Sequence, residues 1–285
     1  MLDFVQINLH KASAATLLAG QSLELKKQRV LMITEPYTVQ SKIVNMPRNS
    51  TLIYDRKCRA DGPPPRAAIV ASPDLRVNSM DSWCNRDCAV ALAQVHGRTT
   101  MLVSIYLDIT KQVIQPWLED LMTMISDRKL PVIMSLDSNA HSDLFGPDTN
   151  ARGEVLEDFI LNHNLYVENL GDLPTFEVRR GDKLIQTHID VTLSRDLHFT
   201  LENWHVDRSY NASDHNTIRF NCKATETSIK TVRPWSKTDW AVFSDELKRA
   251  DYRVPAVMSM KKLDRLTDRM YEIIDIALDL SLIHI

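Results

Sequence analysis

The sequence has no surplus of either charge, no paired zinc-ligand spacing, no apolar run of membrane length and no internal repeat. Each absence closes off a class of protein. With 34 Lys and Arg against 37 Asp and Glu, the formal charge is −3. Composition therefore shows no broad polyanion-binding surface, and any nucleic-acid contact must be a local patch. The near balance still permits phosphate chemistry, because clustered carboxylates that hold a divalent cation offset basic groups elsewhere in the count. Cys58, Cys84, Cys88 and Cys222 lack a second Cys/His pair at finger-like distance and are expected to be free thiols. Residues Met1 to His10 carry no basic segment ahead of an apolar run, and no stretch approaches ~20 uninterrupted apolar residues, so an intracellular, soluble chain with no membrane partner is expected. Repeat arrays and low-complexity tracts are absent.

What is present is enough for a real core: 285 residues, 44% of them hydrophobic, suit one large domain or two modest ones. Leu2 to Ile7 reads as a strand ending at Asn8, and Ser13 to Gln28 as a helix. Val30 to Ile33 is a short buried strand stopped at Thr34-Glu35-Pro36, since proline cannot continue the ladder. Leu52 to Tyr54, Ala67 to Ala71, Ala89 to Val95 and Met101 to Tyr106 read as further strands, with a loop at Gly62-Pro63-Pro64-Pro65. His96-Gly97-Arg98-Thr99 has the character of a hairpin turn. A helix over about Lys111 to Arg128 leads through Pro131 into the strand Val132 to Leu136. Glu154 to His163 predicts another helix with Val155, Phe159 and Ile160 on one face. Leu184 to Leu193 and Thr217 to Cys222 close the series as strands. The order is α/β, too irregular for a Rossmann repeat.

The pattern changes after about residue 224, which suggests a domain over 1–224 and a helical segment over 225–285. In the latter, Leu263, Leu266, Met270, Ile273, Ile274, Ala277 and Leu278 fall on one helical stripe, the usual mark of a packing face.

The chemistry lies at strand ends. Asn8, Glu35, Tyr106 and Asp137 each follow an apolar strand, where side chains from separate strands can converge at one sheet edge. Asn139, Asp190, Asp214 and His215 complete an inventory of hard oxygen ligands, amide donors, a phenol and an imidazole. Phosphodiester hydrolysis needs the phosphoryl charge neutralised, a water activated and the leaving alkoxide stabilised. Glu35 and Asp214 suit Mg²⁺ or Mn²⁺, with Asn8 as an additional oxygen. Asp190 can orient His215 and favour its protonated form. Asp137 is the candidate water-activating base, with Asn139 and Tyr106 on the phosphate. Taken singly, each has an ordinary alternative as a turn cap, packing residue or structural histidine.

Taken together, Gln6-Ile7-Asn8, Thr34-Glu35-Pro36, Ser104-Ile105-Tyr106, Asp137-Ser138-Asn139, His188-Ile189-Asp190 and Ser213-Asp214-His215 resemble, in order and approximate spacing, the endonuclease/exonuclease/phosphatase superfamily that includes apurinic/apyrimidinic endonucleases and DNase I. The resemblance extends to about Cys222. Asn8-Leu9-His10-Lys11, Asp137-Ser138-Asn139-Ala140-His141, Arg152-Gly153 and Pro174-Thr175-Phe176 favour the endonuclease domain of LINE-type (non-LTR) retrotransposon polyproteins. Arg233-Pro234-Trp235 and Asp239-Trp240 resemble the connector that precedes reverse transcriptase there.

The resemblance implies a four-layer α/β sandwich, two mixed β-sheets flanked by helices, DNase I-like, with the site at one rim. It implies a metal-dependent DNA endonuclease that nicks double-stranded DNA in the nucleus, so that a 3′-hydroxyl primes reverse transcription by a domain beyond this chain. A phosphatase or phospholipase acting on a small or lipid phosphate shares the same core chemistry, and an inactive DNA-binding remnant is the non-enzymatic alternative. Candidate DNA contacts are Asp55 to Arg66, Gly171 to Lys183 and Asp207 to Asn211, with Arg179, Arg180 and Lys183 as a charged hairpin around Gly181.

Overall fold

The computed structural model describes residues 2–24, 28–58, 62–224, 239–249, 270, 273, 274 and 277. The chain divides into two compact units, Met1–Thr225 and Glu226–Ile285. In chain order, the first unit runs β1 (Leu2–Asn8), α1 (Ser13–Glu24), β2 (Arg29–Thr34), β3 (Thr38–Val39), β4 (Lys42–Ile43), β5 (Thr51–Ile53), β6 (Ala67–Ala71), β7 (Val77–Ser79), β8 (Cys88–Val95) and β9 (Arg98–Tyr106). It continues with α2 (Pro116–Asp127), β10 (Val132–Asp137), α3 (Ala151–Asn162), β11 (Tyr166–Val167), β12 (Phe176–Arg180), β13 (Lys183–Thr187), β14 (Asp190–Arg195), β15 (Phe199–Asp207) and β16 (Thr217–Ala224).

Two six-stranded sheets face each other. One has the order β15-β16-β1-β2-β6-β5, the other β11-β14-β10-β9-β8-β7. Each is mixed: β1 and β2 are parallel in the first, β9 and β10 in the second, and the remaining pairs are antiparallel. With helices on the outer faces, the architecture is a four-layer α/β sandwich.

The two-residue period of a strand decides which side chains meet. In β1, Leu2 and Phe4 join the core between the sheets, while Val5 and Ile7 pack with Ala15 and Leu23 of α1 on the outer face. In β2, Val30 and Met32 point inward and Leu31 and Ile33 outward. Continuing that alternation places Gln6 and Asn8 between the sheets. Gln6 is buried and fully used: Nε2 donates to the carbonyls of Leu136 (3.3 Å) and Val191 (3.2 Å), and Oε1 accepts from Thr192 Oγ1 (2.8 Å). Trp204 Nε1 donates to the same hydroxyl, and Ser104 Oγ donates to the Ile33 carbonyl. These bonds across a low-dielectric core set one sheet against the other. They bring the end of β1 level with the end of β10.

The expected hairpin at His96-Gly97 is a two-residue turn between β8 and β9, with φ of 49° and 80°, and Val95 pairs Arg98. This is the left-handed pair that a tight hairpin needs. All four cysteines are free.

Several expected boundaries differ. The helix expected from Lys111 begins at Pro116, after the Gln115 N-cap, because proline fits the first turn and its predecessor is driven to extended backbone. The helix expected from Glu154 begins at Ala151, and Asn150 caps it by accepting from Gly153 N–H. Its buried face is Gly153, Leu156, Phe159 and Ile160, and Val155 is exposed. Leu184 to Leu193 is two strands rather than one, β13 and β14, in different sheets. β15 was not anticipated; its glutamate, asparagine and histidine positions hide the alternation.

In the second unit, α4 (Trp240–Arg249) is a helix. Met270, Ile273, Ile274 and Ala277 are helical, with Ala277 buried and Met270 exposed. The other stripe positions, Leu263, Leu266 and Leu278, and the Arg233-Pro234-Trp235 segment lie outside the described residues. No helix among the described residues is long and apolar enough to cross a membrane.

Candidate active site

Strand register assembles the rim. Asn8 pairs Thr34, the residue before Glu35, and Asp137 lies between Tyr106 on β9 and Asp190 on β14. Across the sandwich, Asn8 Nδ2 donates to Asp137 Oδ2 at 2.6 Å and to Glu35 Oε2 at 3.3 Å. The third segment arrives between β15 and β16: Ser213 Oγ donates to the Asn8 carbonyl at 2.7 Å, which holds Asp214 and His215 against β1. His215 Nδ1 and Asp190 Oδ2 are 2.8 Å apart, with side chains 6% and 3% exposed. Polar atoms of Asp137, Asp190 and His215 lie within 4.8 Å of one another, a donor group that a divalent cation can use.

Burial and like charge set the protonation states. Asp137 is pushed well above the usual carboxylate range, first by burial and then by the charge of Asp190, against the pull of His215 and Asn8. Burial works against a charged His215. The Asp190 carboxylate outweighs it through charge and hydrogen bond, with Asp137 and Asp214 adding, and the ring is raised to about 9. Burial, then the charges of Glu35 and Asp137, push the Tyr106 phenol up to about 12, so it stays a donor at neutral pH.

Several rim residues have left-handed backbone: His10, Lys11, Glu35, Asn139 and Ala212 have φ between 45° and 61°. Such residues are held by their surroundings at a cost of about 1–2 kcal/mol each. For Glu35, a bond from its N–H to the Arg66 carbonyl and one from Lys11 N–H to its own carbonyl provide the hold.

All eight sequence-predicted residues lie on this rim or on the loops that form it, but Asn8 is turned differently from the expected oxygen ligand. Its Oδ1 already accepts from His10 N–H at 2.7 Å, so its amide nitrogen, not its oxygen, faces the carboxylates. Asn139 Nδ2 donates to the Leu107 carbonyl. Arg179, Arg180 and Lys183 flank the Gly181-Asp182 turn of the β12–β13 hairpin and are exposed.

Several supporting residues escaped the sequence reading. Arg66, expected at the end of a DNA-contacting segment, is 7% exposed. Its guanidinium lies 4.4 Å from the centroid of the Tyr106 ring and bonds both oxygens of Asp87 (2.6 and 2.7 Å) and one of Asp108 (2.8 Å). It braces the tyrosine and has no face left for DNA. Arg152 donates to the carbonyls of Leu107, Asp108, Lys111 and Ser138, tying the Asn139 loop to the end of β9. The glycine after it is required by contact, since a Cβ at Gly153 would lie 1.6 Å from the His141 carbonyl oxygen. Thr175 Oγ1 accepts from the N–H groups of Ile189 and Asp190, and the Phe176 ring meets His215 edge-on at 5.0 Å. Arg152, Gly153, Thr175 and Phe176 carried only motif membership as a sequence signal and Arg66 carried none, because a buried arginine and a surface one look alike in sequence.

Residues 100–219 match a family model described as endonuclease-reverse transcriptase. That span includes Tyr106, Asp137, Asn139, Asp190, Asp214 and His215, while Asn8 and Glu35 reach the same rim from outside it. Its two facing sheets match the fold of solved structures. The chain has the endonuclease/exonuclease/phosphatase fold. It is similar to the endonuclease domain of TRAS1, a telomere-specific non-LTR retrotransposon, at 26% identity and a TM-score of 0.66, over 79% of this chain and 100% of that one. The AP endonuclease LMAP from Leishmania major shares the fold at 11% identity and a TM-score of 0.57, over 77% and 86% of the two chains. So does the mannosyl-6-phosphatase Bt3783 from Bacteroides thetaiotaomicron, at 12% and 0.53, over 78% and 100%. No curated protein matches the chain.

Proposed function

We propose that the first unit is a divalent-metal-dependent endonuclease that nicks double-stranded DNA and leaves a 3′-hydroxyl from which a retrotransposon's reverse transcriptase primes. The observation that carries this reading is the rim itself. A buried Asp190–His215 pair, an Asn8-held Asp137 and the carboxylates of Glu35 and Asp214 all meet in a chain similar to a retrotransposon endonuclease domain.

The residues fit a cation. Asp214 Oδ1 is buried with no hydrogen-bond partner beyond the His10 ring 3.2 Å away, and Glu35 and Asp214 each face an exposed basic side chain, Lys11 and His10, in the position a counter-cation would take. Asp190 and His215 satisfy each other, and a hard cation prefers oxygen, so Glu35 and Asp214 are the proposed Mg²⁺ or Mn²⁺ ligands. The cation supplies neutralisation of charge on the phosphate. Asp137 Oδ1, also buried without a partner, takes the proton of the attacking water while Asn8 holds Oδ2. With Nδ1 given to Asp190, His215 has Nε2–H left to donate to a phosphoryl oxygen. The Tyr106 phenol and Asn139 orient the phosphate.

The β12–β13 hairpin, with Arg179, Arg180 and Lys183, is the proposed DNA-groove contact. Residues 225–285 are proposed as a connector toward a reverse transcriptase domain, and the site of action as the nucleus. The test is supercoiled plasmid with and without Mg²⁺, beside Asp214→Ala and His215→Ala. Metal-dependent nicks with 3′-hydroxyl ends, lost in both variants and in chelator, are expected. No nicking by the parent chain, together with rapid hydrolysis of a small phosphate monoester, would refute the reading.

A further inference from the structure

Two consecutive residues at the rim have no part in these roles. His10 and Lys11 follow β1 in left-handed backbone, with φ of 49° and 53°. The turn is pinned, since His10 N–H donates to Asn8 Oδ1 and Lys11 N–H to the Glu35 carbonyl, at 2.7 and 2.8 Å. This backbone aims each side chain at one carboxylate. Lys11 Nζ lies 2.9 Å from Glu35 Oε1, and His10 Nδ1 lies 3.2 Å from Asp214 Oδ1. The basic side chains are 62% and 64% exposed, and the carboxylates 12% and 19%. Among the described residues, no other basic side chain lies within ion-pair distance of either carboxylate.

A half-sequestered carboxylate beside Asp137 and Asp190 needs a counter-charge, and here it receives one from the tip of a flexible, solvated stem. Nothing but the side chain has to move for that charge to leave, because the strained backbone is held by its own bonds. We propose that Lys11 is a displaceable stand-in for the divalent cation: its ammonium neutralises Glu35 in the metal-free protein, gives way when the cation binds, and then takes a backbone phosphate of the DNA. An ammonium suits both positions, being a compact point charge that carboxylate and phosphate oxygens accept equally. Cation binding is thereby coupled to the grip on DNA. The inference rests on the assignment of Glu35 and Asp214 as cation ligands.

The experiment uses the full chain, Lys11→Met, which keeps the length of the stem, and Glu35→Gln. Mn²⁺ affinity is read by electron paramagnetic resonance without DNA. Affinity for a duplex oligonucleotide is read across a salt series, once with Ca²⁺ and once with chelator. Lys11→Met should bind Mn²⁺ about two- to fivefold more tightly, the scale of losing one exposed ion-pair competitor. With Ca²⁺ its salt slope should fall by about one, and with chelator it should not change, because Lys11 is then engaged by Glu35 in the parent as well. Unchanged or weaker Mn²⁺ binding by Lys11→Met, with Glu35→Gln impaired, overturns the role of Lys11 and leaves the cation site standing. An equal fall in slope with and without the cation also overturns it. Parent-like Mn²⁺ binding by Glu35→Gln overturns the ligand assignment and the inference with it.

Discussion

Replacing Asp190 by asparagine keeps the shape of the side chain and removes the charge facing His215. The pair is 2.8 Å apart and nearly inaccessible, and the ring is raised to about 9 because the carboxylate outweighs a burial effect of opposite sign. Without that charge, burial is opposed only by the smaller effects of Asp137 and Asp214, and the imidazole should fall back to about its ordinary ~6.5. At a pH of about 7.5, the protonated fraction then falls from ~97% to ~10% or less, so a step that needs the imidazolium slows about tenfold or more. The same shift bears on stability. A histidine raised on folding contributes stability that is fully present below its unfolded ~6.5 and is lost as pH rises through its folded value. For His215 the window runs from ~6.5 to about 9, and the contribution is about 3 kcal/mol. The wild-type chain should therefore lose stability across that window, and Asp190→Asn should be flatter. The assays are a ¹⁵N-resolved titration of His215, nicking rate against pH, and urea unfolding on both sides of the window. A ring in Asp190→Asn that still titrates near the wild-type value, or neutral-pH nicking within about twofold of wild type, would refute the reasoning.

Three further outcomes are expected. Gly153→Ala should destabilise the first unit by about 2–4 kcal/mol in urea unfolding, since its Cβ would meet a backbone oxygen at 1.6 Å that cannot swing aside; a loss under about 0.5 kcal/mol would contradict the contact. Arg66→Lys cannot hold Asp87 and Asp108 together or stack on Tyr106, and should slow nicking about tenfold with duplex affinity within about twofold. A large loss of affinity would return Arg66 to the DNA surface. Reversing Arg179, Arg180 and Lys183 to glutamate should weaken duplex binding and reduce its salt slope by about three while leaving Mn²⁺ affinity unchanged; an unchanged slope would remove the hairpin from the interface.

Much of the first unit could be read along the chain because its signals are local. Continuous apolar runs such as Val132 to Leu136 mark strands buried on both faces, His96-Gly97 marks a hairpin, and strand-end polar residues mark a rim. The failures also have local causes. Pro116 sets a helix start that periodicity alone put earlier, and the run from Leu184 to Leu193 conceals a change of sheet. β15 alternates too weakly to be seen because much of it faces solvent.

Sequence alone therefore determined most types of element, the mixed α/β class and the chemical inventory of the site, since each follows from residue identity and from periods of two or 3.6, while the layered sandwich followed from the motif resemblance. Only the tertiary structure decided how the inventory is used. Whether Asn8 offers its oxygen or its nitrogen depends on His10 N–H already occupying the oxygen. Whether Arg66 meets DNA or braces Tyr106 depends on Asp87 and Asp108, 21 and 42 residues away. Whether His215 is charged depends on a carboxylate 25 residues away being buried with it. These are effects of neighbours in space, and burial, charge and hydrogen-bond geometry exist only once distant segments have been packed together.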